Sequence, residues 1–168
     1  MTDLPERRSR LRQYQVQLLE RMQAAKSGAA EGGRELGVMI GGRLCLLDLT
    51  QISEIVPLQP ATPVPLTQDW YLGLTNIRGH LTGVIDLARY QQRSPGDAAP
   101  AERRLITFAP GLGFNCALLV ERVMGLRKLA EMQAVEGDEF RDGDGQSWLR
   151  IDLAQLVQEP RFVQVGLV

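Results

Sequence analysis

The sequence is short of the residues that do chemistry. It has one histidine, His80, two cysteines and nine aromatic residues in 168. A single imidazole excludes multi-histidine metal sites, and any Ser/His or Cys/His nucleophile would depend on that one ring. It stands beside an Arg-Gly bend, where an exposed turn histidine is the ordinary reading. Cys45 and Cys116 each lie in an apolar run with no second Cys or His nearby. They read as buried free thiols of a reducing compartment, not as a disulfide or a metal site. The net charge is −1, and residues 34–168 carry 13 Lys/Arg against 16 Asp/Glu. Nucleic acid is therefore not an expected partner, the more so with so few aromatics to stack on bases. No apolar run approaches the roughly 18 residues of a membrane helix. The opening MTDLPERRSRLR has no apolar h-region. The expectation is a cytoplasmic protein without direct membrane insertion.

Phosphate and metal motifs are missing too. No GxxxxGK[ST] occurs, and GLGF (111–114) lacks the third glycine of a dinucleotide loop and precedes a strand. DGDG (142–145) would need glycine at Ser147 and glutamate at Leu153 to be an EF-hand loop, so it reads as a solvated turn. Asp86 and Asp152 recur in two IDLA motifs, where an N-cap role explains each more cheaply than paired catalysis. The expectation is no catalytic residue, no metal and no cofactor: a binding module, not an enzyme.

What is present is mostly β. Residues 1–33 form a separate segment, with Leu11, Tyr14, Leu18 and Met22 at helical spacing among arginines, then a glycine-containing tether at 27–33. From Glu35 onward ELGVMI, a Gly41-Gly42 turn and RLCLLDL predict a hairpin. Pro57, Pro60, Pro63 and Pro65 then force an extended surface link. A second strand pair hinges at Arg78-Gly79, a loop covers 91–103, and RLITFA with FNCALLVERVMGL continues the β pattern. Residues 133–147 read as an acidic loop, and WLRIDLAQLVQ as a strand entering a short C-terminal helix. The domain expected is 34–160, with a first barrel mainly in 34–91, a second mainly in 103–158, possibly interleaved, and a tail at 161–168.

A repeat underlies this layout. RLCLLDLTQISEI (43–55) superimposes without gaps on FNCALLVERVMGL (114–126), setting Cys45 on Cys116 and Ile52 on Val123. IDLA at 85–88 returns at 151–154. Two matches in the same order point to a duplicated unit. Short strands at this spacing favour small closed barrels, and two packed lobes leave a groove for a partner.

Two charges are embedded in apolar strand sequence, Glu54 in ISEIV and Arg78 in NIRG. A charge at the margin of a core is costly unless paired, so a Glu54–Arg78 salt bridge is expected. An arginine fork can bond the carboxylate and still offer donors outward. The pair reads either as an internal brace or as the polar element at the rim of a binding groove.

The pattern Trp70-x-x-Gly73-x-x-Asn76-x-Arg78-Gly79 followed by VIDL (84–87), with Ile52-x-Glu54-Ile55 before it, resembles the CheW family of chemotaxis coupling proteins over residues 35–158. The resemblance implies a mainly β fold of two small five-stranded SH3-like barrels with a groove between them, beside the N-terminal and short C-terminal helices. It implies a non-enzymatic scaffold that couples chemoreceptor cytoplasmic tips to the regulatory domain of a CheA-type histidine kinase, at membrane receptor arrays where self-association is possible. By position, Ile52, Glu54, Asn76, Arg78 and Gly79 would fall in or beside the receptor-binding groove, with Val123 and Leu126 on the second barrel's side. His80-Leu81-Thr82-Gly83 departs from the family's apolar pair and proline. The N-terminal extension, acidic loop and PRFVQVGLV tail are more similar to the PilI type of type IV pilus (twitching motility) systems than to flagellar CheW. The alternatives are a flagellar CheW and an unrelated small-barrel peptide-binding module.

Overall fold

A computed structural model of the chain describes residues 34–94, 96 and 98–167; the helix and tether expected in 1–33 lie outside them. β1 (Arg34–Ile40) and β2 (Arg43–Asp48) form the expected hairpin, with Gly41 and Gly42 both at positive φ as a two-residue turn requires. Then come β3 (Ile52–Pro57), β4 (Tyr71–Ile77), β5 (His80–Ile85), β6 (Arg104–Phe108), β7 (Cys116–Val120) and β8 (Arg122–Lys128). β9 (Gln133–Ala134), β10 (Glu139–Arg141) and β11 (Ser147–Ile151) complete the β structure. The acidic stretch 133–147 is thus not all loop: it holds two strands too short for alternation to betray them. Short helices follow at Leu87–Tyr90, Leu153–Leu156 and Pro160–Val163. The first two are N-capped by Asp86 and Asp152, whose side chains accept from Arg89 N–H and Gln155 N–H. None of the described helices is long and apolar enough to cross a membrane.

The strands make two sheets, in the orders β8-β1-β2-β11-β10-β9 and β3-β6-β7-β5-β4. The first has six strands where five were expected, the extra one being the two-residue β9. Each sheet draws strands from both halves of the chain. The β1–β2 hairpin joins β8–β11, and the β6–β7 hairpin joins β3–β5. The joints are parallel and equivalent: Cys45 and Leu47 pair with Leu149 and Ile151, while Cys116 and Leu118 pair with Gly83 and Ile85. The duplicated units have exchanged hairpins, and the residues that match in sequence occupy matching places in the two sheets.

The proline-rich chain leaving β3 returns to β4, where Thr62 and Leu74 exchange backbone hydrogen bonds of 2.8 and 2.9 Å. Gly73 makes this crossing possible. Its φ is +133°, and a Cβ there would stand 2.1 Å from Thr62 O. This bridge covers part of the edge that β4 would otherwise expose.

One face of each sheet meets the other in a continuous apolar core that includes Leu36, Val38, Cys45 and Leu47 from one and Ile85, Ile106, Cys116 and Leu118 from the other. The C-terminal segment docks by aromatics: Phe162, fully buried, stacks on Trp70 at 5.6 Å and meets Tyr90 edge-on at 5.4 Å.

Candidate functional site

The β4–β5 turn holds an exposed arginine at positive φ, as the chain also holds Leu66 and Gln92. Ile77 pairs with His80, so Arg78 and Gly79 alone make the turn, at φ +52° and +82°. Both central positions of such a turn need positive φ, which suits Asn-Gly far better than Arg-Gly. A branched or long L-residue held there costs about 1–2 kcal/mol. Asn76 tightens the bend by accepting the Gly79 N–H at 2.8 Å.

Glu54 meets this turn from the opposite edge strand. The β3–β6 register shifts between Ile52 and Ile55, and at this bulge Thr107 takes over the hydrogen bonding. The Glu54 N–H donates to Thr107 Oγ1 at 2.8 Å, and the same hydroxyl donates to Glu54 O at 3.4 Å. The carboxylate then reaches Arg78, with Nε 2.7 Å from Oε2. That oxygen is enclosed and accepts no hydrogen bond, so Arg78 supplies it with opposite charge, not with an aligned donor. The Arg78 side chain is 65% exposed and Glu54 29%. An ion pair this wet contributes about 0.2–1 kcal/mol, less than the turn's strain. Stability alone does not account for arginine at this position. With two-thirds of its side chain in solvent, the guanidinium faces outward while Glu54 limits where it can go.

The other expected positions are distributed. Ile52 is fully buried in the shared core, so its side chain supports β3 and is no surface contact; alternation alone could not say which face it takes. Asn76 and Gly79 are exposed at the turn. Val123 and Leu126 lie half-buried on β8, opposite Val38 and Leu36, in the other sheet from the Glu54–Arg78 pair.

The sequence shows Leu81 only as part of the His80-Leu81-Thr82-Gly83 departure and does not single out Asn115. Leu81 is 66% exposed, and its carbonyl accepts from Asn115 Nδ2 at 2.6 Å. That bond ties β5 to the loop before β7, and beside it opens a cleft of about 380 Å³ lined by His80, Phe108, Pro110, Phe114 and Asn115. An apolar residue exposed next to a polar turn was the available signal. The reading also missed a buried polar cluster in the six-stranded sheet. Glu35 is fully buried, with Arg150 Nε 2.6 Å from its Oε1, and Arg150 also reaches Asp48 at 3.3 Å. Burial raises the Glu35 carboxyl above its ordinary range, more than the hydrogen bond and charge of Arg150 lower it.

Cys45 and Cys116 are free and buried, and burial pushes the Cys45 thiol up to about 11 and that of Cys116 further. Asp142 organises its turn, accepting from Trp148 Nε1 and from the N–H groups of Asp144 and Gln146, each at 2.9 Å. These bonds, the indole's first, hold its carboxyl below the usual range. The described residues include no group of three His, Cys, Asp or Glu able to hold a metal ion.

The chain is 32% identical over 103 residues to the probable chemotaxis protein CheW of Rhizobium etli, a match covering 61% of this chain and 65% of that protein. It is 24% identical over 105 residues to the protein PilI of Pseudomonas aeruginosa, covering 61% of this chain and 57% of that one. The matches thus span about three-fifths of these relatives' lengths. The crystal structure of the scaffolding protein TtCheW from Thermoanaerobacter tengcongensis has the same fold, with a TM-score of 0.64, 18% identity, and coverage of 79% of this chain and 97% of that one. The CheW-like domain family matches residues 35–161, and the chain belongs to that family.

Proposed function

We propose that the protein is a non-enzymatic adaptor of a chemotaxis-like signalling pathway. It couples the cytoplasmic helical tips of chemoreceptors to the CheW-like regulatory domain of a CheA-type histidine kinase, in the cytoplasm at receptor arrays. The observation that carries this reading is Arg78: an arginine kept in a strained turn, steered by Glu54, and offered to solvent in a chain of the CheW-like family. Strain retained where a better turn residue is available points to a partner contact. Asn76 and Gly79 shape the same tip, Val123 and Leu126 offer half-buried apolar contacts on β8, and Ile52 anchors β3 beneath Glu54. Similarity to PilI, together with the N-terminal extension, favours a pathway that controls type IV pilus twitching motility; similarity to the Rhizobium etli protein favours a flagellar-type one.

Calorimetric titration against a receptor cytoplasmic hairpin and a kinase regulatory domain tests the reading. Arg78→Ala is expected to weaken receptor binding about tenfold or more, as loss of a central arginine contact does. Kinase binding should stay within about twofold of wild type, the ordinary effect of a change outside the contact. No binding of either ligand by the wild-type chain would overturn the adaptor reading.

A further inference from the structure

Regular alternation along β3 would turn Glu54 the wrong way. Ile52 and Ile55 both lie in the core between the two sheets, with Glu54 between them in sequence. Successive side chains of a strand point to opposite faces, so Glu54 would share the core face with Ile52, and Ile55 would leave it. An extra residue in β3 prevents this. Ile52 pairs with Phe108 and Ile55 with Ile106, so Ser53 and Glu54 together oppose Thr107. Such a β-bulge bends its strand and re-aims a side chain. Here it returns Ile55 to the core and leaves the Glu54 carboxylate 2.7 Å from Arg78 Nε.

A bulge deprives backbone groups of their ladder partners, and Thr107 replaces them from its side chain. Its hydroxyl accepts the Glu54 N–H at 2.8 Å and donates to Glu54 O at 3.4 Å. Valine has the shape of threonine and can do neither. Without the hydroxyl both groups would stand unpaired in partly buried surroundings, a state more costly than the bonds' net worth. The strand would relax by slipping or straightening, and a slip of one residue exchanges the faces of its side chains. Either movement turns Glu54 from Arg78. No hydrogen bond joins Thr107 to Arg78 among the described residues, so its influence passes through Glu54.

We propose that Thr107 is a positioning residue for the Arg78 contact: its hydroxyl holds the β3 bulge that aims Glu54 at Arg78, and so directs the guanidinium toward a partner. The direction toward a partner rests on the adaptor reading; the hold on the Glu54–Arg78 pair does not.

Nuclear magnetic resonance on the full chain reads that hold without any partner. A nuclear Overhauser cross-peak between the Glu54 γ-methylene and the Arg78 δ-methylene is expected in the wild type. It should persist in Thr107→Ser, which keeps the hydroxyl, and be lost in Thr107→Val and in Thr107→Ala. Calorimetric titration with a receptor cytoplasmic hairpin reads the consequence. Thr107→Val should weaken binding about threefold, the share that ordering one long side chain before contact contributes, and Thr107→Ser should not. In a Glu54→Ala background Thr107→Val should add no further weakening, because no carboxylate remains to be aimed. A cross-peak kept in Thr107→Val and Thr107→Ala, a cross-peak lost in Thr107→Ser, or equal weakening in the Glu54→Ala background overturns the proposal. If the wild-type chain binds no receptor, the adaptor reading fails and the cross-peak comparison alone decides the role of Thr107.

Discussion

Gly73→Ala tests how the proline-rich chain is held against β4. An alanine Cβ would stand 2.1 Å from Thr62 O and 2.5 Å from Thr62 C, and both are backbone atoms that no rotamer change can move. The new residue would also have to hold a φ of +133°. A conformation so unfavourable for an L-residue costs about 1–3 kcal/mol. Relieving the overlap means parting Thr62 from Leu74, which breaks two backbone hydrogen bonds worth about 0.5–1.5 kcal/mol each. The expected loss is about 2–6 kcal/mol, against the roughly 5–15 kcal/mol that stabilises a typical domain. Gly42→Ala is the control, since Gly42 has a φ of +72° with nothing within 4 Å of its added methyl. That change should cost only the left-handed strain, about 1–2 kcal/mol. Urea unfolding followed by tryptophan fluorescence reads both, because Trp70 lies at the start of β4 and is buried. A Gly73→Ala loss no greater than that of Gly42→Ala would refute this account of the crossing.

The same geometry carries four further predictions. Arg78→Asn exchanges a strained turn residue and a wet ion pair for the residue the turn prefers, so its unfolding free energy should stay within about 1 kcal/mol of wild type while receptor binding weakens as in Arg78→Ala. Additivity of Glu54→Ala and Arg78→Ala in a double-mutant cycle would show the two side chains to be uncoupled. Glu35 has a raised folded-state pKa, so its contribution is complete below its unfolded value near 4.5 and is lost as pH rises through the folded value. The stability of Glu35→Gln relative to wild type should therefore grow as pH rises above that point, and a flat difference would contradict the burial argument. Finally, because each sheet takes strands from both halves, fragments 1–93 and 98–168 should fold only when mixed; a cooperative unfolding transition in either alone would be unexpected.

What the sequence made legible was local chemistry. The Gly41-Gly42 turn, the Asp86 and Asp152 caps and the bend at Arg78-Gly79 each depend on residues a few positions apart, whose types admit few conformations. Glu54 and Arg78 could be paired on paper because each was a lone charge in apolar surroundings. The exchange of hairpins was not legible, since Cys45 meets Leu149 only through parallel pairing across most of the chain. Periodicity finds strands but not their neighbours. The Glu35–Arg150 pair escaped for a related reason: both residues look like ordinary exposed strand charges until β1 and β11 are packed on either side of β2. Ile52, which the resemblance sets in or beside the groove, has its side chain wholly in the core, a facing that the strand pattern alone leaves open.

The adaptor reading is tested most directly by asking whether this chain bridges its two partners. Receptor hairpins anchored on vesicles should pull down the kinase only when this protein is added, and Arg78→Ala should abolish most of that recruitment while still binding kinase in solution. Equal recruitment of kinase with and without the protein would contradict the account.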